Sequence, residues 1–365
     1  MFRIFGWAVG FTIVVLAGAF WLGGVETLTI VAILAVLEIS LSFDNAVVNA
    51  TVLQRMNEWW QRIFLTIGIV IAVFGMRLVF PLLIVAVTAG LNPVEIIDLA
   101  INQPDVYAAE LSEAHPAIAA FGGLFLAMIF LDFILQSREI TWLTWLERPL
   151  SRLGGIESLS IVVALCCLLA ASRWLAGDKA ATVLLAGTLG VVVYLLVSGL
   201  AAFFEGTADE DDEQLAGIAG PAEAAQGALV MGKAAFFLFL YLEVLDASFS
   251  FDGVIGAFAI TTDIFVVAAG LGVGALYIRS MTIYLVRKGT LGQYVFLEHG
   301  AHYAIGALAL ILLVSINREV PEIVTGLIGI GFILVAFLSS ILRNKRNAAA
   351  SNVDRDMEDV GAASA

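Results

Sequence analysis

The 365-residue chain is 61% hydrophobic and only 14% charged, against about 25% charged residues in an ordinary soluble domain. A water-soluble fold is excluded, and the apolar content suffices for about ten membrane spans of roughly 20 residues each. The net charge of −14 is local: residues 89–116 carry Glu95, Asp98, Asp105, Glu110 and Glu113 without a base, and residues 205–223 are also purely acidic. No basic patch suited to nucleic acid remains.

Apolar runs fall at about 4–23, 27–53, 62–88, 117–136, 156–176, 180–204, 232–260, 264–286, 300–316 and 321–342. They predict an all-α, polytopic transmembrane helix bundle with about ten spans. The segmentation is an N-terminal helix (1–26), a first repeat (27–137), connecting helices (138–204), an acidic cytoplasmic linker (205–231), a second repeat (232–316), a last helix (317–346) and a disordered tail (347–365). Arg3 and Ala17-Gly18-Ala19 suggest a signal peptide, but the apolar run continues through Trp21 and Leu22, which favours an uncleaved helix. With ten alternating spans, Arg173, Lys179 and Arg318 fall on one side and the other loop bases on the opposite side. The positive-inside rule then places both termini in the cytoplasm, across a bacterial inner membrane. Adjacent Cys166 and Cys167 read as small apolar packing residues, because metal-ligand spacing is absent and a vicinal disulfide would be strained.

An internal repeat carries the most information. Residues 38–45 read EISLSFDN and residues 246–253 read DASFSFDG. Each copy is followed by a Gly and, nine residues on, an Arg: Gly68 and Arg77, then Gly270 and Arg279. The copies sit in the second and seventh runs, an odd separation, so they must face opposite ways. Inverted repeats with broken helices meeting at mid-membrane are a secondary-transporter architecture. Ser40, Ser42 and Asn45, or Ser248, Ser250 and Gly253, are poor helix formers, which predicts a break in each copy. Without one, Glu38 and Asp44 would stand about 120° apart and roughly 9 Å along the axis.

Inside the spans, Glu38, Asp44, Asp132, Glu243, Asp246 and Asp252 face only Arg77 and Arg279. Such an excess of carboxylates must be protonated, hydrated or neutralised by a cation. Carboxylates, hydroxyls and carbonyls are hard donors that suit manganese, magnesium or calcium rather than softer metals. Arg77 and Arg279 are candidate gates or static ion-pair partners, and Asp132 is a third-helix ligand, a proton carrier or a helix cap. Glu298, His299 and His302 read as helix-end residues at the interface or as a pH sensor, and Gly270, Gly272 and Gly274 as a close-packing face.

EISLSFDN followed by AVVNA resembles the signature of the TerC family of integral membrane proteins, and LEVLDASFSFDGVIGAFAIT is similar to the equivalent motif of its inverted half, in a less characterised bacterial branch. The resemblance implies divalent-metal transport, with manganese export foremost, and a link to tellurium resistance. Position by position it implies Glu38, Asp44 and Asn45 in the first copy and Asp246 and Asp252 in the second as metal-site residues, with Ser248 as an additional group; the residues themselves add Ser40, Glu243, Asp132, Arg77 and Arg279 as additional or gating groups. Two departures stand out: Gly253 replaces the expected Asn, and Glu243 adds an acid where the first copy has Ala35. No prosthetic group is expected, the partners are the bilayer and a divalent cation, and the chain is not expected to be an enzyme. The alternatives are an exporter of small organic solutes, a scaffold recruiting partners through its acidic loop, and an intramembrane aspartyl protease, whose Tyr-Asp and Gly-x-Gly-Asp pair is missing.

Overall fold

The computed structural model describes residues 2–138, 140–156, 158–216, 229–318 and 320–363. The fold is all-α; among these residues the sole β-type pairing is an isolated parallel bridge between Met56 and Val230. In chain order the helices are α1 (Phe2–Leu41), α2 (Phe43–Leu53), α3 (Glu58–Val70), α4 (Phe80–Ala89), α5 (Pro93–Asn102), α6 (Pro104–Leu135) and α7 (Thr144–Leu153). They continue as α8 (Leu159–Trp174), α9 (Ala180–Ala216), α10 (Gly232–Ile260), α11 (Ile264–Lys288), α12 (Thr290–Gln293), α13 (Leu297–Ser315) and α14 (Glu322–Ala363). A π-helical stretch, Ile71–Val79, joins α3 to α4 in one continuous rod.

Among the described residues, eight helices are long and apolar enough to cross a membrane, which makes the chain a multi-pass membrane protein by length and composition. By this measure two of the ten expected runs are not counted as separate spans. The first two apolar runs share α1, and α8 has 16 residues, about 24 Å of helix against a hydrocarbon layer of about 30 Å. Within α1 the chain nevertheless turns back on itself at Gly23 and Gly24. Gly24 has φ 70°, ψ −153°, a conformation that side chains with a Cβ rarely adopt. Before this point Phe5 meets Tyr284 and Thr12 meets Tyr277; after it, Gly270 touches Leu34 and Gly274 touches Glu38. The partner on α11 therefore runs backwards along the first leg and forwards along the second.

The core forms where α6 lies against α9 and α13, and where α10 lies against α9. Exposed apolar side chains such as Trp21, Val87, Leu185 and Leu327 cover the perimeter, as lipid-facing helices require. Cys166 and Cys167 are free and exposed on α8, so they belong to this perimeter and not to the packed interior expected of them.

Two predicted irregular segments are helical where described. α9 continues through residues 205–216 of the acidic linker, and α14 through the tail to Ala363; the first stretch carries Glu, Gln, Leu and Ala and the second several Ala, all good helix formers. The rest of the linker, residues 217–228, lies outside the described residues.

Candidate functional site: two crossed acidic motifs

The two motifs run in opposite directions, side by side. Glu38 lies against Gly253, Asn45 bonds to Asp246, and Met56 bridges to Val230. As one chain advances from 38 to 56, its neighbour retreats from 253 to 230. The first position of each motif thus meets the last position of the other.

The predicted helix breaks are mostly absent. In the first copy the interruption is confined to Ser42, with φ −100° and ψ 19°, and the helical hydrogen bond from Ser42 N to Glu38 O survives at 3.0 Å. In the second copy α10 runs through the motif without interruption. Helix–helix contacts override the weak local preference of Ser and Gly against helix. The carboxylates converge by the crossing of α10 with the α1–α2 rod, and no unwinding is needed.

Each motif's first acid takes the Arg that follows it. Glu38 pairs with Arg77, whose second guanidinium nitrogen donates to the Ala72 carbonyl at 2.6 Å. That carbonyl belongs to the π-helical stretch, where the wider turn loosens the regular bonding ladder. Arg279 forks onto Glu243 through bonds of 2.9 and 3.0 Å, reaches Asp246 at 3.1 Å and the Phe64 carbonyl at 3.3 Å, and lies over the Phe64 ring. Bidentate pairing of this kind is the geometry that makes a buried Arg tolerable. Arg77 and Arg279 are 2% and 1% exposed.

Asn45 ties the halves together: its Nδ2 donates to Asp246 Oδ1 at 2.8 Å, and its backbone N–H donates to Asp44 Oδ1 at 2.9 Å. Asp44 is buried and makes no ion pair with any described residue. It borders a cavity of about 50 Å³ shared with Glu38, Ser42, Gly253, Thr325 and Gly326, above the roughly 10–15 Å³ that one water needs. Around this centre Asn45 Oδ1, Asn49 Oδ1 and Nδ2, Ser250 Oγ and the Nε atoms of both arginines are buried without a hydrogen-bond partner. Buried polar atoms without partners are rare.

The structure therefore brings Glu38, Asp44, Asn45, Glu243, Asp246, Arg77 and Arg279 into one polar layer, divided into a Glu38–Asp44 side and an Arg279 side. The side chain of Asp252 lies outside the described residues. Ser40 and Ser248 are spent on their own helices, donating to Val36 O and Val244 O, and Ser40 faces outward. Asp132 sits apart, in a different cavity with Tyr194 and His302. His299 meets the Ile140 carbonyl at 3.0 Å and Glu147 at 3.6 Å, at the end of α13. Among the described residues no three His, Cys, Asp or Glu side chains cluster as a metal site.

Sequence reading missed Asn49 and the contribution of α14, and took Ser250 only for a helix breaker. Gly329 leaves room for Asp44, since a Cβ there would stand 2.6 Å from Asp44 Oδ2. The signal for α14 was the closely spaced glycines of TGLIGIG, Thr325 to Gly331.

Residues 43–347 match the family described as "Protein of unknown function (DUF475)", and the chain belongs to that family. No curated protein and no solved structure matches it.

Proposed function

We propose that this DUF475 protein is a secondary transporter that exports divalent metal ions, manganese foremost, through the polar layer where its two inverted motifs cross. One observation carries the reading: among the described motif groups, Arg77 and Arg279 face Glu38, Asp44, Glu243 and Asp246, which leaves two negative charges uncompensated. One doubly charged cation restores neutrality in a medium where a lone ionised carboxylate costs several kcal/mol. The donors at the Glu38–Asp44 cavity are carboxylate and hydroxyl oxygens, with Ser42 and Thr325 lining it, a hard set suited to manganese, magnesium or calcium. Arg77 serves as the counter-charge to Glu38 when the cation leaves.

The motif resemblance supports a relationship to the TerC family, and the loop bases, counted with α8 and both legs of α1 each crossing the membrane, support an inner-membrane location with both termini in the cytoplasm. The metal is cargo, and the reading needs neither a prosthetic group nor an enzymatic step. Flux of Mn²⁺, Mg²⁺ and Ca²⁺ into proteoliposomes, with and without an imposed pH gradient, tests it. Saturable Mn²⁺ flux that Asp44→Asn abolishes is expected. Flux absent for all three ions, or equal in the wild type and Asp44→Asn, overturns the reading.

A further inference from the structure

A second cavity, of about 480 Å³, opens between the C-terminal part of α6, the start of α8 and the helices α9, α10 and α13. It lies on another face of α10 from the crossed motifs: Tyr241 lines it, while Glu243, two residues on and therefore about 200° around the helix, forks onto Arg279.

Of the described charged groups that line this space, one is paired and one is not. Arg138 is committed to Glu298 at 3.1 Å and to the Gln136 side chain at 3.1 Å, and its guanidinium lies over the Phe133 ring. His302 directs Nδ1 to the Glu298 carbonyl at 2.8 Å and stacks on Phe133. Asp132, by contrast, is exposed to the cavity and accepts one hydrogen bond, from the Tyr194 hydroxyl at 2.5 Å; it makes no ion pair with any described residue. Among the described residues that line the cavity, the charged group without an ion-pair partner is thus an anion, and beside it stand the rings of Tyr194 and Tyr241, with centroids 6.4 Å apart.

From the Asp132 carboxylate beside two tyrosine rings in this cavity, we propose a binding site for a small organic molecule that carries an ammonium group. A carboxylate supplies the counter-charge for an ammonium head, and aromatic rings attract cations through their quadrupole. The volume falls within the range of about 300–1,000 Å³ typical of small-molecule sites. A bare metal ion would need neither that volume nor the rings. The site stands independently of the metal-transport reading, because no group of the crossed motifs contributes to it.

The test is isothermal titration of the purified full-length protein in detergent with butylammonium chloride, with sodium butyrate and MnCl₂ as controls. Saturable butylammonium binding without butyrate binding is expected. Asp132→Asn, which keeps an acceptor for Tyr194, should weaken it about tenfold or more, the effect of losing one charged contact. Tyr241→Leu leaves the Asp132–Tyr194 bond in place and should weaken binding severalfold. If Asp132→Asn does not fold, Tyr241→Leu decides alone. Absence of saturable butylammonium binding, or unchanged affinity in either folded variant, overturns the proposal, as does Mn²⁺ binding that depends on Asp132 without amine binding. Loss of Mn²⁺ flux in Asp44→Asn leaves this measurement untouched, so the two readings fail separately.

Discussion

Asn45 Nδ2 donates a 2.8 Å hydrogen bond to Asp246 Oδ1, joining the last position of one motif to the first position of its inverted copy. The opposite corner of the crossing holds Glu38 against Gly253. The asymmetry that stands out in the sequence, Asn in one copy and Gly in the other, is thereby resolved. Arg279 is shared between Glu243 and Asp246, and Asn45 gives Asp246 a further donor; Glu38 pairs with Arg77 and meets only Gly253 at that corner.

The Asn45–Asp246 bond is buried and one partner is charged, a class that contributes about 1.5–3 kcal/mol. Asn45→Ala should cost stability in this range. In a double-mutant cycle with Asp246→Ala, the two losses should fall short of additivity by about 1–2 kcal/mol. Chemical denaturation in detergent measures both. Strict additivity would mean the bond contributes nothing.

Arg279 faces two carboxylates inside the bundle. Arg279→Met strands both acids and should destabilise the protein by about 3–5 kcal/mol. Arg279→Lys should recover little, because an ammonium cannot fork onto Glu243 while reaching Asp246. Adding Glu243→Gln to Arg279→Met should recover part of the loss by removing one stranded charge. Melting temperatures of the four proteins check the order; equal stability of the Lys and Arg forms would contradict it.

The glycines yield a graded series. A Cβ on Gly274 would stand 2.3 Å from Glu38 Cγ and 3.3 Å from the Ala35 carbonyl, and one on Gly270 would stand 2.5 Å from Leu34 Cβ. Gly274→Ala and Gly270→Ala should each cost about 1–3 kcal/mol through overpacking. Gly199 has nothing within 4 Å of its Cβ position, so Gly199→Ala in helix α9 should be neutral or stabilising by up to about 1 kcal/mol. Thermal unfolding of the three variants orders them.

Helix content was legible because hydropathy is a local property, and the antiparallel crossing because the repeated octapeptide recurs an odd number of apolar runs along the chain. The pairing of Arg77 with Glu38 and of Arg279 with its acids was legible only as a charge imbalance; which Arg meets which acid depends on how the π-helical stretch Ile71–Val79 and α11 cross their neighbours. The helix breaks were misread, since the propensities of Ser and Gly amount to about 1 kcal/mol or less per residue and tertiary contacts exceed that. Asp132 shows the same limit. Its sequence position inside a span grouped it with the motif acids, yet its helix turns it towards Tyr194 and a different cavity. The reversal at Gly23 and Gly24 falls where the first apolar run ends and the second has yet to begin, so hydropathy alone marks it.

The α14 contact with Asp44 separates ion binding from stability. A Cβ on Gly329 would come within 2.6 Å of Asp44 Oδ2 and 3.1 Å of Cγ, so Gly329→Ala must move the Asp44 carboxylate. The group displaced is the end of a side chain beside a cavity, and the fold should lose little, about 1 kcal/mol or less in melting experiments without metal. Ligand stabilisation follows RT ln(1 + [L]/Kd), about 2.7 kcal/mol at a hundredfold excess over Kd, and this is the quantity that should fall. Mn²⁺ should raise the melting temperature of the wild type and do so markedly less in Gly329→Ala and Asp44→Asn. A full Mn²⁺ shift in Gly329→Ala would mean that the ion does not use the Asp44 carboxylate in the position seen here.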